Sequence, residues 1–592
     1  MTDGASAALA PAMDAAAALF DEMIAQGIRH VVLSPGSRSQ ALALVAADAE
    51  RRGLIDLHVR IDERVAGFTA LGIGRESRMP AAVVCTSGTA VANLAPAVLE
   101  AHHAGVPLVL LTADRPPELR GVGANQTTRQ PGMFTPNVRY EADAATPPEG
   151  CESVRQLARD AVRAALGDDL HPAGPVHLNL PFREPLAGAL PSWGASPADA
   201  PDEPVEEDPD QSGALYQGGG GIGDADQSVA MTTPPHALPR GIRTLVIAGA
   251  DAGARAEALA WEGGWPLIAE IVSGARFGRY LVHGYRSLLR DPELAEPIER
   301  VLVVGHPTLT REVSALLSRD DVEIVALRGG GETVNLNGAT LAVSAMAVEA
   351  AGEASDDALA ADRAWLGMWM RASRAAAVDL SPPAPDGEAL ASSDPARRLG
   401  AISSEMAVLR ASVDRTGLVD AVWRATWPHD RLVFGSSRLV RVADDVLGGK
   451  KVAVHANRGL AGIDGTIATA LGVAVASQSD GSPGVTRVLL GDLALLHDVG
   501  ALLQPVGETA PRIQIVVGND GGGTIFDGLE VAQLATVAER DRVLYTPHQV
   551  RIEQLAVAYG WDYQRITTRA ALDQALTSPV GGPQLIEVPL ER

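Results

Sequence analysis

Two short polar segments near the C-terminus, each following an apolar run, constrain the fold more than any other feature. Gly491-Asp492-Leu493 follows the run 488–490, and Gly518-Asn519-Asp520-Gly521-Gly522 follows the run 513–517. Apolar runs bounded by glycine indicate buried strands of a parallel sheet, and residues 495–503 can form one crossover helix between them. Both polar segments are then expected at the carboxyl edge of an open α/β sheet, where such sheets bind ligands.

The same segments carry the oxygen ligands of a hard cation. Asp492 offers a carboxylate, Asn519 an amide oxygen and Gly521 a backbone carbonyl. Mg²⁺ prefers such oxygens together with the oxygens of a bound phosphate. Either segment alone would be an ordinary loop, but the pair predicts a clamp for Mg²⁺ and a diphosphate at Asp492, Asn519 and Gly521.

The charge of the chain limits its partners. Lys and Arg number 49 against 73 Asp and Glu, which gives a formal net charge of −24 over 592 residues. General binding to nucleic acid or to an anionic membrane surface is therefore not expected, and a site for acidic substrates needs locally placed arginines. The two cysteines indicate no disulfide framework. We expect no signal peptide and no membrane span, and hence a cytoplasmic protein.

Alternating strand and helix patterns predict an α/β protein with three doubly wound parallel-sheet units. We expect a first unit at residues 1–190, a middle unit at 241–350 and a third unit at 416–592. A helical connection at 351–415 joins the last two units, and the low-complexity stretch 191–240 is typical of a linker, because it cannot bury a core. The clearest strands are predicted at 31–33, 81–85, 108–111, 176–180, 244–248, 301–304 and 323–326, and helices at 13–26, 66–74 and 90–101.

Further motifs match a known enzyme family. The paired polar segments are similar to the Gly-Asp-Gly…Asn-Asn cofactor signature of thiamine-diphosphate enzymes, from which Leu493 and Asp520 depart. The other matching motifs are Ser34-Pro35-Gly36-Ser37-Arg38-Ser39, Asp62-Glu63-Arg64, Thr86-Ser87-Gly88-Thr89-Ala90, Thr112-Ala113-Asp114-Arg115-Pro116-Pro117-Glu118-Leu119, Gly123-Ala124-Asn125-Gln126-Thr127, Asn457-Arg458-Gly459 and Gly462-Ile463-Asp464-Gly465. Across all three units the chain resembles the 2-succinyl-5-enolpyruvyl-6-hydroxy-3-cyclohexene-1-carboxylate synthase family of menaquinone biosynthesis.

This resemblance implies thiamine diphosphate as cofactor, with Mg²⁺ or alternatively Mn²⁺ at the clamp. It also implies that the first unit binds the pyrimidine ring of the cofactor and the third unit the diphosphate. Ile463 matches the apolar wedge that keeps the cofactor bent. Ser87 and Gly88 match a segment beside the pyrimidine.

The resemblance gives the central catalytic role to Glu63, which would promote the ring tautomer that deprotonates the thiazolium. In this architecture the active site spans two subunits, so Glu63 of one chain would face Asp492 of another. A homodimer is then the minimum active unit, and a homotetramer is expected.

The implied reaction is decarboxylation of 2-oxoglutarate and addition of the resulting succinyl carbanion to isochorismate. Both substrates carry two carboxylates, which guanidinium groups bind in a bidentate way. Family roles in substrate binding fall on Ser37, Arg38, Arg115, Gln126, Ser437, Arg441 and Arg458. Ile525 and Phe526, which follow the metal segment, are expected to line the ring or substrate pocket.

Other interpretations stay open at this stage. Each arginine could be part of a surface ion pair, and Glu63 could be a helix-start acid. The chain could be another thiamine-diphosphate 2-oxoacid carboligase or decarboxylase, which would need fewer arginines. It could also be a non-enzymatic cofactor-binding protein, although such proteins usually lack the glutamate. His497 and His548 receive no role, and His497 is expected to be structural.

Overall fold

The first unit is built around a parallel six-stranded sheet with the strand order β2-β1-β3-β4-β6-β5. The computed structural model describes residues 10–147, 151–168, 171–190 and 234–592. The strands are β1 (His30–Leu33), β2 (Asp56–Val59), β3 (Ala81–Cys85), β4 (Leu108–Asp114), β5 (Tyr140–Asp143) and β6 (Pro175–Pro181). The helices are α1 (Pro11–Ala25), α2 (Gln40–Arg51), α3 (Glu63–Ser77), α4 (Thr89–Ala92), α5 (Ala95–Ala104) and α6 (Cys151–Leu166).

The middle unit contains a parallel five-stranded sheet of order β12-β11-β10-β8-β9 and a two-stranded sheet of β13 and β7. The strands are β7 (His236–Leu238), β8 (Thr244–Ala248), β9 (Leu267–Ala269), β10 (Arg300–Val304), β11 (Glu323–Leu327), β12 (Leu341–Val343) and β13 (Met346–Val348). The helices of this unit and of the connection are α7 (Ala254–Gly263), α8 (Tyr285–Leu288), α9 (Pro292–Ala295), α10 (Arg311–Leu317), α11 (Asp356–Ala376), α12 (Gly387–Leu390) and α13 (Pro395–Arg410).

The third unit repeats the topology of the first, with a parallel six-stranded sheet of order β15-β14-β16-β17-β19-β18. The strands are β14 (Arg431–Phe434), β15 (Ala453–Ala456), β16 (Thr486–Gly491), β17 (Ile513–Asn519), β18 (Asp562–Arg565) and β19 (Gln584–Pro589). The helices are α14 (Arg415–Ala425), α15 (Arg438–Val446), α16 (Thr466–Gln478), α17 (Asp492–His497), α18 (Val531–Leu534), α19 (Val537–Arg540), α20 (Ile552–Ala558) and α21 (Arg569–Thr577).

The strand order places a ligand-binding crevice in each large sheet. The direction of winding reverses between β1 and β3, between β8 and β10, and between β14 and β16. Loops at the carboxyl ends of such strand pairs diverge and leave room for a ligand. The predicted α/β class with several parallel sheets is therefore confirmed.

The first and third units share one apolar core in which α3 packs against α16. The two helices approach backbone to backbone, because Gly72 and Gly472 lie at the contact. A Cβ atom added at Gly72 would lie 2.0 Å from the carbonyl oxygen of Thr469, and one at Gly472 would lie 2.0 Å from that of Thr69. This contact fixes the position of α3, whose first residue is Glu63.

Two of the predicted helices are wrong in their extent. The crossover 495–503 is not one helix, because α17 ends at His497 and a separate 3-10 turn follows at Val499–Leu502. Asp498 interrupts the helix, since its side chain turns away and accepts hydrogen bonds from the backbone N–H groups of Ile467 and Ala468 at the start of α16. The predicted helix 90–101 is divided into α4 and α5 near Pro96, which has no N–H to donate.

The strands are predicted more accurately than the helices. The segments Ala81–Cys85 and Thr244–Ala248 agree with the structure at both ends, and the other predicted strands are found with longer bounds. Within the predicted linker 191–240, residues 191–233 lie outside the described residues, but β7 pairs with β13 and so belongs to a sheet. In the ranges that the structure describes, no helix has the length and apolar character needed to cross a membrane.

Candidate active site

Asp492 and Asn519 lie beside each other at the carboxyl edge of the third sheet. Asp492 begins α17 directly after β16, and Asn519 is the last residue of β17. The two strands are adjacent and parallel, with Gly491 opposite Gly518. The structure therefore brings together the two polar segments that the sequence paired.

The carboxylate of Asp492 is buried and has a histidine partner. His548 Nε2 lies 2.9 Å from Asp492 Oδ2, and the Leu493 N–H donates to Asp492 Oδ1 at 2.8 Å. Burial raises the pKa of Asp492, and the hydrogen bond with His548 opposes that shift. No sequence pattern links His548 to a carboxylate 56 positions earlier, so sequence reasoning missed this contact.

The side chain of Asn519 and the backbone of Gly521 each place an oxygen atom in the loop that follows β17. Asn519 Nδ2 donates to Glu587 Oε1 at 2.7 Å, and Asn519 Oδ1 accepts from the Gly521 N–H at 3.1 Å. Gly521 has a φ of +71°, a conformation that favours glycine. Its carbonyl oxygen accepts from Arg592 Nη2 at 2.8 Å.

The oxygen atoms of Asp492, Asn519 and Gly521 fit as ligands of a Mg²⁺ or Mn²⁺ ion that the protein and a diphosphate hold together. A carboxylate has about four lone-pair sites, so Asp492 keeps acceptor capacity beyond its two hydrogen bonds. Among the described residues no group of three or more His, Cys, Asp and Glu side chains could hold a metal ion. A Mg²⁺ site that includes phosphate oxygens needs only one or two carboxylates from the protein. Asp520, which departs from the signature, instead forms an ion pair with Arg415 at 2.8 Å.

Two neighbouring cavities open beside this loop. One of about 170 Å³ is lined by Ser437, Ile463, Gly491, Asp492, Ile525 and Phe526, among others. A larger one of about 760 Å³ shares Ile525 and Phe526 with it. The larger cavity also carries the arginines Arg286, Arg290, Arg311 and Arg441. Of these four arginines, the sequence motifs predicted only Arg441, because the other three come from the middle unit and lie outside the motifs shared with the family.

Arg458, a predicted substrate ligand, is already engaged inside the protein. Its side chain is 2% exposed and its Nη2 donates to the carbonyl and hydroxyl oxygens of Thr308 at 3.0 and 2.6 Å. Its Nη1 donates to the hydroxyl of Ser436 at 3.3 Å. In this arrangement Arg458 fixes Thr308, which lines the larger cavity.

The predicted residues of the first unit form a separate group around Ser87. Gln126 Nε2 donates to the Ser87 carbonyl at 2.9 Å, and Arg115 Nη1 donates to the Gln126 carbonyl at 3.0 Å. Gly88 has a φ of +87°, and its N–H donates to Gln130 Oε1 at 3.1 Å. Ser87 is buried and Gln126 is exposed, so the group runs from the core to the surface.

Arg38 and Ser37 lie on the neighbouring loop after β1. The Arg38 N–H donates to the hydroxyl of Thr86 at 3.3 Å, and Arg38 Nη1 donates to the Phe182 carbonyl at 3.3 Å. Ser37 is exposed. Both loops lie at the carboxyl edge of the first sheet, at the point where its winding reverses between β1 and β3.

Glu63 is half-buried at the first position of α3. Asp62 caps the helix by accepting from the Arg64 N–H at 2.8 Å. Burial raises the pKa of the nearby Cys85 thiol, and the charge of Glu63 raises it further. Within the described residues, no hydrogen bond joins Glu63 or the Ser87 group to the residues around Asp492.

Comparison with known proteins defines the class. Residues 13–133 match the family described as thiamine pyrophosphate enzyme, N-terminal TPP binding domain. The fold is similar to that of benzoylformate decarboxylase from Polynucleobacter necessarius, with a TM-score of 0.62 and 15% identity over 98% of each chain. Residues 13–133 thus carry the N-terminal domain of thiamine pyrophosphate enzymes, and the whole chain has the fold of this decarboxylase.

Closer relatives narrow the class to one family. The chain is 52% identical to the 2-succinyl-5-enolpyruvyl-6-hydroxy-3-cyclohexene-1-carboxylate synthase of Leifsonia xyli subsp. xyli, over 98% of this chain and 97% of the relative. The synthase of Clavibacter michiganensis subsp. michiganensis is 51% identical over the same shares. The synthase of Kineococcus radiotolerans is 42% identical over 98% and 96%. The chain belongs to the 2-succinyl-5-enolpyruvyl-6-hydroxy-3-cyclohexene-1-carboxylate synthase family.

Proposed function

We propose that the protein decarboxylates 2-oxoglutarate and adds the succinyl unit to isochorismate. The products are CO₂ and 2-succinyl-5-enolpyruvyl-6-hydroxy-3-cyclohexene-1-carboxylate, an intermediate of menaquinone biosynthesis. The observation that carries the proposal is the adjacency of the two cavities. The cavity beside Asp492 shares Ile525 and Phe526 with a cavity that carries four arginines. The larger cavity is also lined by the carboxylates of Glu312 and Asp444, and Glu312 pairs with Arg286 and Arg290. A metal–diphosphate site next to this arginine-rich cavity suits a cofactor that acts on two dicarboxylates.

Thiamine diphosphate, when bound, supplies the electron sink for the decarboxylation. In the proposal Asp492, Asn519 and the Gly521 carbonyl hold Mg²⁺ or Mn²⁺, and Ile463 supports the bent cofactor. The carboxyl group of Glu63 holds the proton that is exchanged with the pyrimidine ring. Ile525 and Phe526 keep water from the reacting carbon, which prevents its protonation before the second substrate adds.

We assign the binding of the substrate carboxylates to polar residues of the first unit, near Ser87, and of the third unit, near Asp492. Bidentate pairing with guanidinium groups fixes the two acids at reacting distance, and this positioning accelerates a two-substrate step. Arg458 contributes through Thr308 and Ser436 rather than by direct contact. The assigned residues are Ser37, Arg38, Arg115, Gln126, Ser437 and Arg441.

A homodimer is the proposed minimum active unit, assembled further into a homotetramer. The family resemblance supports a site completed by a partner subunit, in which Glu63 of one chain would face Asp492 of another. The division of labour is part of the same proposal, with the pyrimidine bound by the first unit and the diphosphate by the third. We place the enzyme in the cytoplasm, because its two cysteines indicate no disulfide framework.

The test is to mix the purified protein with thiamine diphosphate, Mg²⁺, 2-oxoglutarate and isochorismate. Isochorismate absorbance and product mass are followed, and Glu63→Gln is the matched variant. We expect isochorismate loss that needs both the cofactor and 2-oxoglutarate. Glu63→Gln should bind the cofactor but turn over about 10²- to 10⁴-fold more slowly, the usual contribution of a general acid–base group.

Each contrary outcome has a distinct meaning. Release of CO₂ and succinic semialdehyde with isochorismate untouched would contradict the acceptor and favour another decarboxylase. Wild-type turnover by Glu63→Gln would contradict the role of Glu63. Cofactor binding without any turnover would favour a non-enzymatic binding protein.

A further inference from the structure

The connection between the two metal-binding loops also holds the segment that carries Glu63. This connection runs from Asp492 to Asn519 and contacts the first unit of the same chain on both sides of Glu63. After Glu63, Arg64 Nη2 donates to the carbonyl oxygen of His497 at 2.9 Å. Before Glu63, the contact is made by Glu508.

Glu508 forms a compact set of hydrogen bonds at the end of β2. Its Oε1 accepts from the Val59 N–H at 2.6 Å, and Arg60 Nη1 donates to Oε2 at 2.9 Å and to Oε1 at 3.1 Å. The side chains of Arg60 and Glu508 are 8% and 18% exposed. Burial opposes the ionised form, but His58, whose Nδ1 lies 3.7 Å from Glu508 Oε2, and the charge of Arg60 lower the pKa of Glu508. The contact is therefore a shielded, charge-assisted one, stronger than a surface ion pair.

The contact between Glu508 and Val59 lies at the end of β2, close to Glu63 along the chain. Among the described residues β2 is an edge strand that pairs with β1 alone, so it presents N–H groups without a strand partner there. Glu508 takes up the N–H of Val59, the last residue of that strand. Only residues 60–62 separate Val59 from Glu63. Gly507, with a φ of +95°, supplies the left-handed turn that precedes Glu508.

We propose that Glu508 is a positioning residue for Glu63, acting through its hydrogen bonds to Val59 and Arg60. The proposal rests on the proposed function, because it assumes that Glu63 exchanges a proton with the cofactor. Glu508 itself touches neither cofactor nor substrate in this view. Its removal is expected to loosen the β2–α3 junction and misplace Glu63.

The first test uses the cofactor-free protein and amide hydrogen exchange measured by mass spectrometry. Glu508→Ala should speed exchange in peptides that cover the β2–α3 junction. Asp430→Asn is the matched control, because it weakens another buried arginine–carboxylate pair, Arg487–Asp430, which among the described residues has no hydrogen bond to the β2–α3 junction. The control should lower thermal stability without changing exchange at the junction. Equal exchange at the junction in Glu508→Ala and wild type would overturn the proposal.

The second test measures proton–deuterium exchange at the thiazolium carbon of bound thiamine diphosphate, by quenched-flow NMR. Glu508→Ala should slow this exchange about 10- to 100-fold, the scale of a small misplacement of a catalytic group. The KM for 2-oxoglutarate should stay near the wild-type value while kcat falls. Glu508→Gln keeps an acceptor for the Val59 N–H and should recover part of the rate.

A double-mutant cycle separates this proposal from the proposed function. If Glu508 acts through Glu63, adding Glu508→Ala to Glu63→Gln should cause no further loss. The positioning role would be overturned by additive losses in the double variant. It would also be overturned if Glu508→Gln were as slow as Glu508→Ala, or if Glu508→Ala kept the wild-type rate. A wild-type exchange rate in Glu63→Gln would instead contradict the role of Glu63 itself.

Discussion

The contact between α3 and α16 leads to a prediction about a single added methyl group. In Gly72→Ala, the new Cβ would lie 2.0 Å from the carbonyl oxygen of Thr469, and the neighbouring Thr469 Cα would be 3.0 Å away. An ordinary carbon–oxygen contact is about 3.3 Å or more. The neighbour is backbone and cannot rotate away, so the two helices must separate by more than about 1 Å.

The cost can be set against the gain in helix propensity. Overpacking of a close-packed core typically costs about 1–3 kcal/mol, and backbone displacement places this site at the upper end or beyond. Alanine favours the helical state over glycine by about 1 kcal/mol. We therefore expect Gly72→Ala to lower the free energy of unfolding by about 2 kcal/mol.

Gly400→Ala is the matched control, because Gly400 lies in α13 and an added Cβ would meet nothing within 4 Å. The same substitution should there stabilise by about 0.5–1 kcal/mol. Urea unfolding of the cofactor-free protein, followed by tryptophan fluorescence, gives the midpoints of all three proteins. An equal or higher midpoint for Gly72→Ala than for the wild type would refute the reasoning.

The remaining predictions concern two buried carboxylates, Asp498 and Asp492. Burial raises the pKa of Asp498 to about 7, against about 3.9 in an unfolded chain. Between about pH 4 and pH 7 the folded state therefore holds a proton on Asp498 that the unfolded chain has lost. The stability that this group contributes is complete below about pH 4 and is lost as the pH rises through 7. Asp498→Asn should flatten the fall in urea midpoint between pH 5 and pH 8, and an unchanged slope would contradict the assignment. Asp492→Ala should weaken Mg²⁺-dependent binding of thiamine diphosphate at least about tenfold, and unchanged binding by calorimetry would contradict the metal clamp. Without cofactor and metal, the same variant should be no less stable than the wild type, because a buried carboxylate with a raised pKa is removed.

Local sequence patterns predicted the features that depend on neighbouring residues. Apolar runs bounded by glycine predicted the strands, and the polar residues after them predicted which loops lie at the carboxyl edge. The motifs also predicted the family, because their order along the chain is specific. The helix boundaries were less accurate, since Asp498 and Pro96 interrupt helices through a capping contact with α16 and a missing N–H, respectively.

Contacts between distant residues required the tertiary structure. The sequence by itself determined the parallel α/β fold and the pairing of the polar loops after β16 and β17, because periodicity and loop composition are local properties. The family resemblance selected Glu63. Only the structure decided that His548 contacts Asp492, that Arg458 binds Thr308 and that Glu508 holds Val59. These partners are separated by tens to hundreds of positions. The packing of elements from different units, such as the glycine contact between α3 and α16, determines which of them meet.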